Sequence, residues 1–399
     1  MDRYENMKEM ENDFRINMGF WSAVLSLIIV YAASAAPIPL YSAYREIIGL
    51  TSADLSMSAV MYFFGTGIAL LMFARISNYV GRKPMIFVTM GMALLACLMF
   101  FYIESAMTLL FGRFVQGVSC GMASSCIAAY VIDTTPKKYA WLGVVFTSAG
   151  PMAGLAIGSF GAGALRQYCT GSLFLIFEIL IMILAGCLIL LVLSPETVVR
   201  NPGGWRSIVP QIRVPQNIRP LIPAASATFV GTWAIGGFYQ AFSSSIALEQ
   251  LGTSNTMIAA AVFSGMMAPS LLGSSLAGRM KEPFAQRIGM SVFLISFIWI
   301  IISLKMRVVV SFLIAGVFAG TAWGIAFTGS MKRLLNKTSQ EDRAGVLSTI
   351  FLISYCGAAI PSLIVGRISS MFNLYEISIG YGIVVAIATI ITIFTANEN

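Results

Sequence analysis

The sequence predicts an all-α membrane protein, with twelve transmembrane helices in two six-helix bundles. Three observations carry that expectation. Of 399 residues, 58% are hydrophobic and only 11% charged, too little polar material to cover a soluble core of this size, so lipid must cover the rest. Apolar runs of about 20 residues, the helical length that crosses a hydrocarbon core about 30 Å thick, recur along the chain. The longest polar stretch beyond the amino-terminal segment, Ser194 to Arg219, falls at mid-chain and carries Pro195, Pro202, Gly203, Gly204, Pro210, Pro215 and four arginines, the composition of a linker between halves.

The elements follow in order. Residues 1–17 are polar and of mixed charge, unlike a cleavable leader with its basic start and short apolar core, so they read as a cytoplasmic segment ahead of a retained first span. Spans are expected near 18–40, 55–75, 84–103, 107–131, 139–164 and 172–194, which makes 18–194 the first bundle. A cytoplasmic linker, 195–219, leads to spans near 220–246, 256–277, 288–304, 308–330, 344–366 and 376–395, the second bundle, and 396–399 form a cytoplasmic tail. With the amino terminus inside, alternation leaves only Arg45, Arg166, Lys305, Arg307 and Arg367 on the outer side and places nearly all other Lys and Arg in the cytoplasm. The positive-inside rule therefore puts both termini in the cytoplasm and the protein in the cell membrane. The run GLTSADLSMSAVMYFFG ending at Gly65 resembles LGTSNTMIAAAVFSG ending at Gly265, an offset of half the chain that suggests internal duplication.

Composition also excludes chemistry. Histidine is absent, which removes His triads, His-ligated zinc and imidazole relays, so proton transfer must use carboxylates. The six cysteines lie in apolar runs without a CxxC pair, and no metal site is expected. The formal charge of +8 is spread between apolar runs rather than gathered in a stripe, which argues against nucleic acid. No GxxxxGK[ST] loop is present for ATP, no nucleophile–base pair suggests an enzyme, and no cofactor is expected beyond a proton gradient.

The link between spans two and three reads Ala74-Arg75-Ile76-Ser77-Asn78-Tyr79-Val80-Gly81-Arg82-Lys83-Pro84 and resembles the cytoplasmic signature loop of the major facilitator superfamily. Gly81, Arg82 and Lys83 match the family pattern, whereas neutral Asn78 stands where the family has an acid, which departs from the charge relay attributed to this loop. Arg113-Phe114-Val115-Gln116-Gly117 in span four resembles a second signature, and Gly143, Gly150-Pro151, Gly154 and Gly158 in span five resemble a third, associated with exporters. Pro195-Glu196-Thr197 resembles the usual exit into the central linker. The resemblance implies the superfamily fold and, through the third signature, the twelve-helix drug/proton antiporter branch. Read physically, Pro151 removes a helical hydrogen bond while Gly150, Gly154 and Gly158 make a smooth face for close packing, and such a kinked, closely packed helix suits rocking of two halves.

Glu178 is the only acid well inside a span. It and Arg113 each lie about six residues from the outer end of their spans, roughly 9 Å deep at 1.5 Å per residue, so an ion pair that protonation could break is expected between them. An alternative is that Glu178 merely faces a neighbouring helix or the outer headgroups. The resemblance makes spans one, four, seven and ten line a cavity, giving Tyr31, Tyr41, Gln116, Trp233, Tyr239, Gln240 and Trp323 as solute contacts. Aromatics with few charges suit amphiphilic or cationic organic solutes. The leading expectation is a secondary active exporter exchanging such a solute for protons by alternating access, and the alternative is an importer or uniporter of a sugar, organic acid or other metabolite. The expected partners are a small solute and the bilayer, without nucleic acid, and the chain is expected to act as a monomer.

Overall fold

The computed structural model describes residues 2–169, 174–210, 212, 214–339 and 342–396, and all regular structure among them is helical. Residues 172–173 of the expected sixth span, Arg213 in the linker and the tail 397–399 lie outside that set. Among the described residues, twelve helices are long and apolar enough to cross a membrane. They are α1 (Phe14–Ile48), α2 (Ser52–Met72), α3 (Arg82–Phe101), α4 (Ala106–Thr134), α5 (Ala140–Tyr168), α6 (Leu175–Leu193), α7 (Gln216–Gln250), α8 (Thr256–Ala277), α9 (Glu282–Met306), α10 (Val309–Asn336), α11 (Gly345–Ile368) and α12 (Leu374–Thr395). An even number of crossings puts both ends of the chain on one face, which also bears the linker between α6 and α7; this is called the linker face and its opposite the far face.

Local sequence explains where the helices start and turn. The loops entering α2 and α8 each use a glycine at positive φ, Gly49 at 70° and Gly252 at 68°, a conformation that costs a residue without Cβ little. Thr51 then caps α2 in a reciprocal capping box with Asp54, and Asn255 caps α8 through the N–H groups of Met257 and Ile258. The amino-terminal polar segment is not separate from the first span, because one helix runs from Asp2 to Ala35. That helix breaks at Ala36-Pro37, passes through a 3₁₀ turn at Ile38–Leu40 and resumes at Tyr41. Pro37 and Pro39 supply no N–H, so carbonyls of the preceding turn lose their helical donors. α4 and α7 contain π-helical turns, Ala123–Ile127 and Ile246–Gln250.

Packing within each set of six helices is close and glycine-mediated. α2 meets α4 at Gly117, where an added Cβ would lie 2.1 Å from the Tyr62 carbonyl oxygen, and α8 meets α10 at Gly273, where it would lie 1.8 Å from that of Thr321. In a membrane, where lipid is as apolar as leucine, such close backbone approach supplies the contact energy that water would otherwise drive. Between the two sets, α2 packs on α7 and α11, and α5 packs on α8.

Candidate functional site

Arg113 on α4 is fully buried, and its surroundings account for how a guanidinium survives there. Nη1 donates to the carbonyl oxygen of Ser34 and to Oε1 of Gln116, each at 2.6 Å, and Gln116 Nε2 donates to the carbonyl oxygen of Ala33 at 2.7 Å. These are carbonyls freed where Pro37 interrupts α1, so the Arg–Gln pair restores hydrogen bonds that the break removes. The guanidinium carbon also stands 4.6 Å from the centroid of the Tyr62 ring. The expected ion pair with Glu178 is not formed. Glu178 is exposed in the first turn of α6, on the side opposite Ile176, Phe177 and Leu180, which pack inward. Equal depth in two helices fixes only height; the azimuth of Glu178 turns it away.

A second cluster forms at mid-depth, where the two sets of helices meet. Trp233 of α7 is edge-to-face with Trp323 of α10 at 6.0 Å, with Phe63 of α2 at 6.0 Å and with Tyr355 of α11 at 5.0 Å. Tyr355 stacks on Phe63 at 6.1 Å and on Phe351 at 6.1 Å. Tyr62, the ring beneath Arg113, is edge-to-face with Phe63 at 5.4 Å, so the guanidinium stands one side chain from the cluster. A cavity of about 220 Å³ lies between the halves toward the linker face, walled by Arg75, Ser124, Ser125, Leu347 and Phe351, and thus ends on the cluster.

Of the expected solute contacts, Trp233 and Trp323 come together here. Tyr31 is half-buried and donates to the Cys120 carbonyl oxygen at 3.3 Å, while Gln116 belongs to the Arg113 network. Tyr41 lies beyond the break in α1, beside Tyr44, with its hydroxyl 3.4 Å from Ser58 Oγ, and Tyr239 stacks on Phe312 at 6.3 Å, so neither joins the cluster. Gln240 Oε1 is buried without a hydrogen-bond partner, as are Trp233 Nε1 and the Nε and Nη2 of Arg113. Tyr62, Phe63, Phe351 and Tyr355 were not among the expected contacts because they sit on α2 and α11. The spacing of Phe351 and Tyr355, four residues apart on one helical face, was the available signal.

At the linker face, Asn78 does accept from Arg82 Nη1, at 2.6 Å, but the carboxylates come from elsewhere. Arg82 Nε pairs with Asp133 at the end of α4 at 2.9 Å, and Glu196 accepts the backbone N–H groups of Arg82 and Lys83 at 2.9 and 3.0 Å. Lys83 Nζ answers by donating to the carbonyls of Val192 and Ser194 at the end of α6. A carboxylate on a helix start and a cation on a helix end both complement the backbone dipoles. Gly81, at φ 107°, lets the chain pass Glu196, whose Oε2 would lie 2.8 Å from an added Cβ. On α5, Gly150 approaches Leu27, and Gly154 and Gly158 would place a Cβ 2.4 and 2.0 Å from the carbonyl oxygens of Ile28 and Ala32, so this ridge binds α1 within its own half. The helix continues through Pro151 without interruption.

At the far face the halves are joined. Arg45 pairs with Glu249 and donates to Ser245 Oγ, Ser56 Oγ donates to the Ser362 carbonyl oxygen at 2.8 Å, and Gln167 Oε1 accepts from the backbone N–H of Thr256 at 3.1 Å. The family model described as Major Facilitator Superfamily matches residues 23–361. The chain belongs to the Major Facilitator Superfamily. It is thus a multi-pass membrane transporter of that superfamily and not an enzyme. The crystal structure of a bacterial homolog to human lysosomal transporter, Spinster, in an inward-facing and unoccupied conformation, shares the fold with a TM-score of 0.70 and 15% identity over 96% of this chain and 97% of that one. Hexose transporter 1 of Toxoplasma gondii is 30% identical over 126 residues, a stretch that takes in 29% of this superfamily member but only 21% of that transporter.

Proposed function

We propose that this superfamily member is a secondary active transporter that exports a small amphiphilic organic solute in exchange for protons, with the aromatic cluster around Trp233 as the solute site. The observation that carries the reading is the place of that cluster: α2, α7, α10 and α11 bring Phe63, Trp233, Trp323 and Tyr355 together at mid-depth, at the seam between halves that alternating access must open on each side in turn. Flat rings at such a seam favour a solute with an apolar, aromatic body. The linker-face cavity gives an exported solute a way in between the halves toward the cluster. The basic residues of that face, Arg75, Arg82, Lys83, Arg279, Lys281 and Lys332 among them, support a cytoplasmic linker face and termini. Glu249 pairs with Arg45 across the far end of the seam and is the carboxylate placed to link protons to its opening, whereas Asp133 and Glu196 serve the linker-face loop of the first half and Glu178 is assigned no coupling role.

The test uses inside-out vesicles with an acid interior and a pH-sensitive fluorophore in the lumen. Addition of a solute such as 2-naphthalenemethanol or a dye of similar size is expected to release lumenal protons in the wild type, and Trp233→Ala is expected to abolish the release at equal protein incorporation. Proton release that survives Trp233→Ala overturns the site. The partial match to a hexose transporter supports a second reading, import of a sugar, which radiolabelled hexose uptake into whole cells without solute-triggered proton release would favour.

A further inference from the structure

The polar atoms left free around the cluster are mostly donors. Arg113 spends Nη1 on Ser34 and Gln116, while its Nε and Nη2 are buried and unpartnered, and Trp233 Nε1 is in the same condition. The Nε and Nη2 N–H groups form one edge of the guanidinium fork, the edge that takes a carboxylate through two parallel hydrogen bonds. Gln116, tied to Ala33, and the Tyr62 ring at 4.6 Å hold that fork in place, so its orientation does not have to be created on binding.

Charge points the same way. Among the described residues the carboxylates of the membrane-spanning helices, Glu46, Asp54, Asp133, Glu178, Glu249, Glu282 and Glu376, all lie within the first or last turn of their helices. None of them pairs with Arg113 or enters the aromatic cluster, and Glu178, at a height similar to that of Arg113, is exposed on the side of α6 turned away from the packed core. A guanidinium is a cation, and its field is weakly screened in a buried site, so it attracts an anion and repels a cation.

We infer that the solute taken at the aromatic cluster is an organic anion, a carboxylate on an aromatic body, with the carboxylate on the Nε/Nη2 edge of Arg113 and the ring against Phe63, Trp233 and Tyr355. The inference rests on the cluster being the solute site and narrows the solute class; it replaces the cation expected from aromatic content alone, because π faces beside an unpaired guanidinium do not make a cation site.

Three probes of one size test it: 2-naphthoate, 2-naphthalenemethanol and 2-naphthylmethylammonium, titrated calorimetrically into the full chain in detergent, with Trp233→Ala as the control for partition into micelles. Naphthoate is expected to bind at least about tenfold more tightly than the ammonium compound, and Arg113→Gln to weaken naphthoate by about tenfold or more while leaving the alcohol within about twofold. Arg113→Lys, which keeps the charge but loses the fork, is expected to fall between them and serves if the glutamine variant does not purify as a single species. If the alcohol or the ammonium compound binds through Trp233 and naphthoate binds no better, the anion assignment is overturned and the cluster remains the solute site. If no probe depends on Trp233, both are overturned.

Discussion

Replacing Glu249 by glutamine should shift the equilibrium between the two ends of the seam. In the structure Arg45 and Glu249 form an ion pair between the first and second sets of helices at the far face, with side chains 29% and 38% exposed. Pairs this open to solvent contribute about 0.2–1 kcal/mol, because water and salt screen them, and glutamine keeps an acceptor for Arg45 while removing the charge. The remaining contacts, Ser56 to Ser362 and Gln167 to Thr256, are untouched. An energy of that size moves a two-state equilibrium by at most about fivefold. The readout is maleimide labelling of Ala259→Cys, buried at the far face, against Ser124→Cys in the linker-face cavity, in a background where the exposed Cys169 and Cys356 are serine. Far-face labelling is expected to rise by about two- to fivefold and linker-face labelling to fall. Raising the salt concentration should mimic the substitution in the wild type and do little in the variant, and exchanging the two charges should restore wild-type rates. Labelling that rises at both sites would mean local loosening rather than a shift of the seam, and no change in either would mean that the pair does not hold the far face closed.

Gly163→Val acts on the same equilibrium by volume. A Cβ there would lie 2.7 Å from both the Thr256 carbonyl oxygen and the Ala260 Cβ across the seam, so the variant should fold yet label at Ala259→Cys as though the far face were held open. Glu196→Gln weakens the cap on α3, because glutamine keeps one neutral acceptor oxygen where the two carboxylate oxygens each take a backbone N–H and turns an amide N–H toward the other, at a cost of about 1–2 kcal/mol, and should lower the thermal inactivation temperature without changing solute affinity. Gly117→Ala drives a methyl to 2.1 Å from the Tyr62 carbonyl oxygen within one half, so α2 and α4 must separate, and loss of folded protein on size-exclusion chromatography is the expected result.

The twelve spans were legible because length and hydropathy suffice to define them, and the signature loop between spans two and three was legible because glycine and charge stand out in apolar surroundings. The partner of Arg113 was not. The clue was in Ala35-Ala36-Pro37-Ile38-Pro39, two prolines that free carbonyls, but nothing local to α4 says that α1 is the helix facing it. Glu178 illustrates the opposite failure. Its depth could be counted along the chain, while the direction in which it points depends on which face of α6 packs against α1 and α3. At the linker face Asn78 looked like a lost charge, yet Asp133 and Glu196, 55 and 118 residues further on, bring carboxylates to the same loop. Contacts between residues so far apart in sequence leave no spacing signal.

The distribution of contacts separates what must stay rigid from what must move. Within the halves, Gly117 against Tyr62, Gly158 against Ala32, Gly273 against Thr321 and Gly320 against Met266 bring backbones into direct contact, and the Arg113–Gln116 bracket fixes the broken first helix to α4. Such contacts have no partly open form: a shift of even an ångström gives up close packing along a whole helix pair. Across the seam, among the described residues, the far face is held mainly by hydroxyl-to-carbonyl hydrogen bonds and one screened ion pair, each individually weak and each able to exchange with water when the halves part. A chain built this way meets a change in the seam by rotating two stiff bodies rather than by bending helices. Under the proposed solute site, the aromatic cluster, drawn from both bodies, is where a bound solute would bias that rotation, because any ring inserted between Phe63 and Trp233 must separate residues of opposite halves.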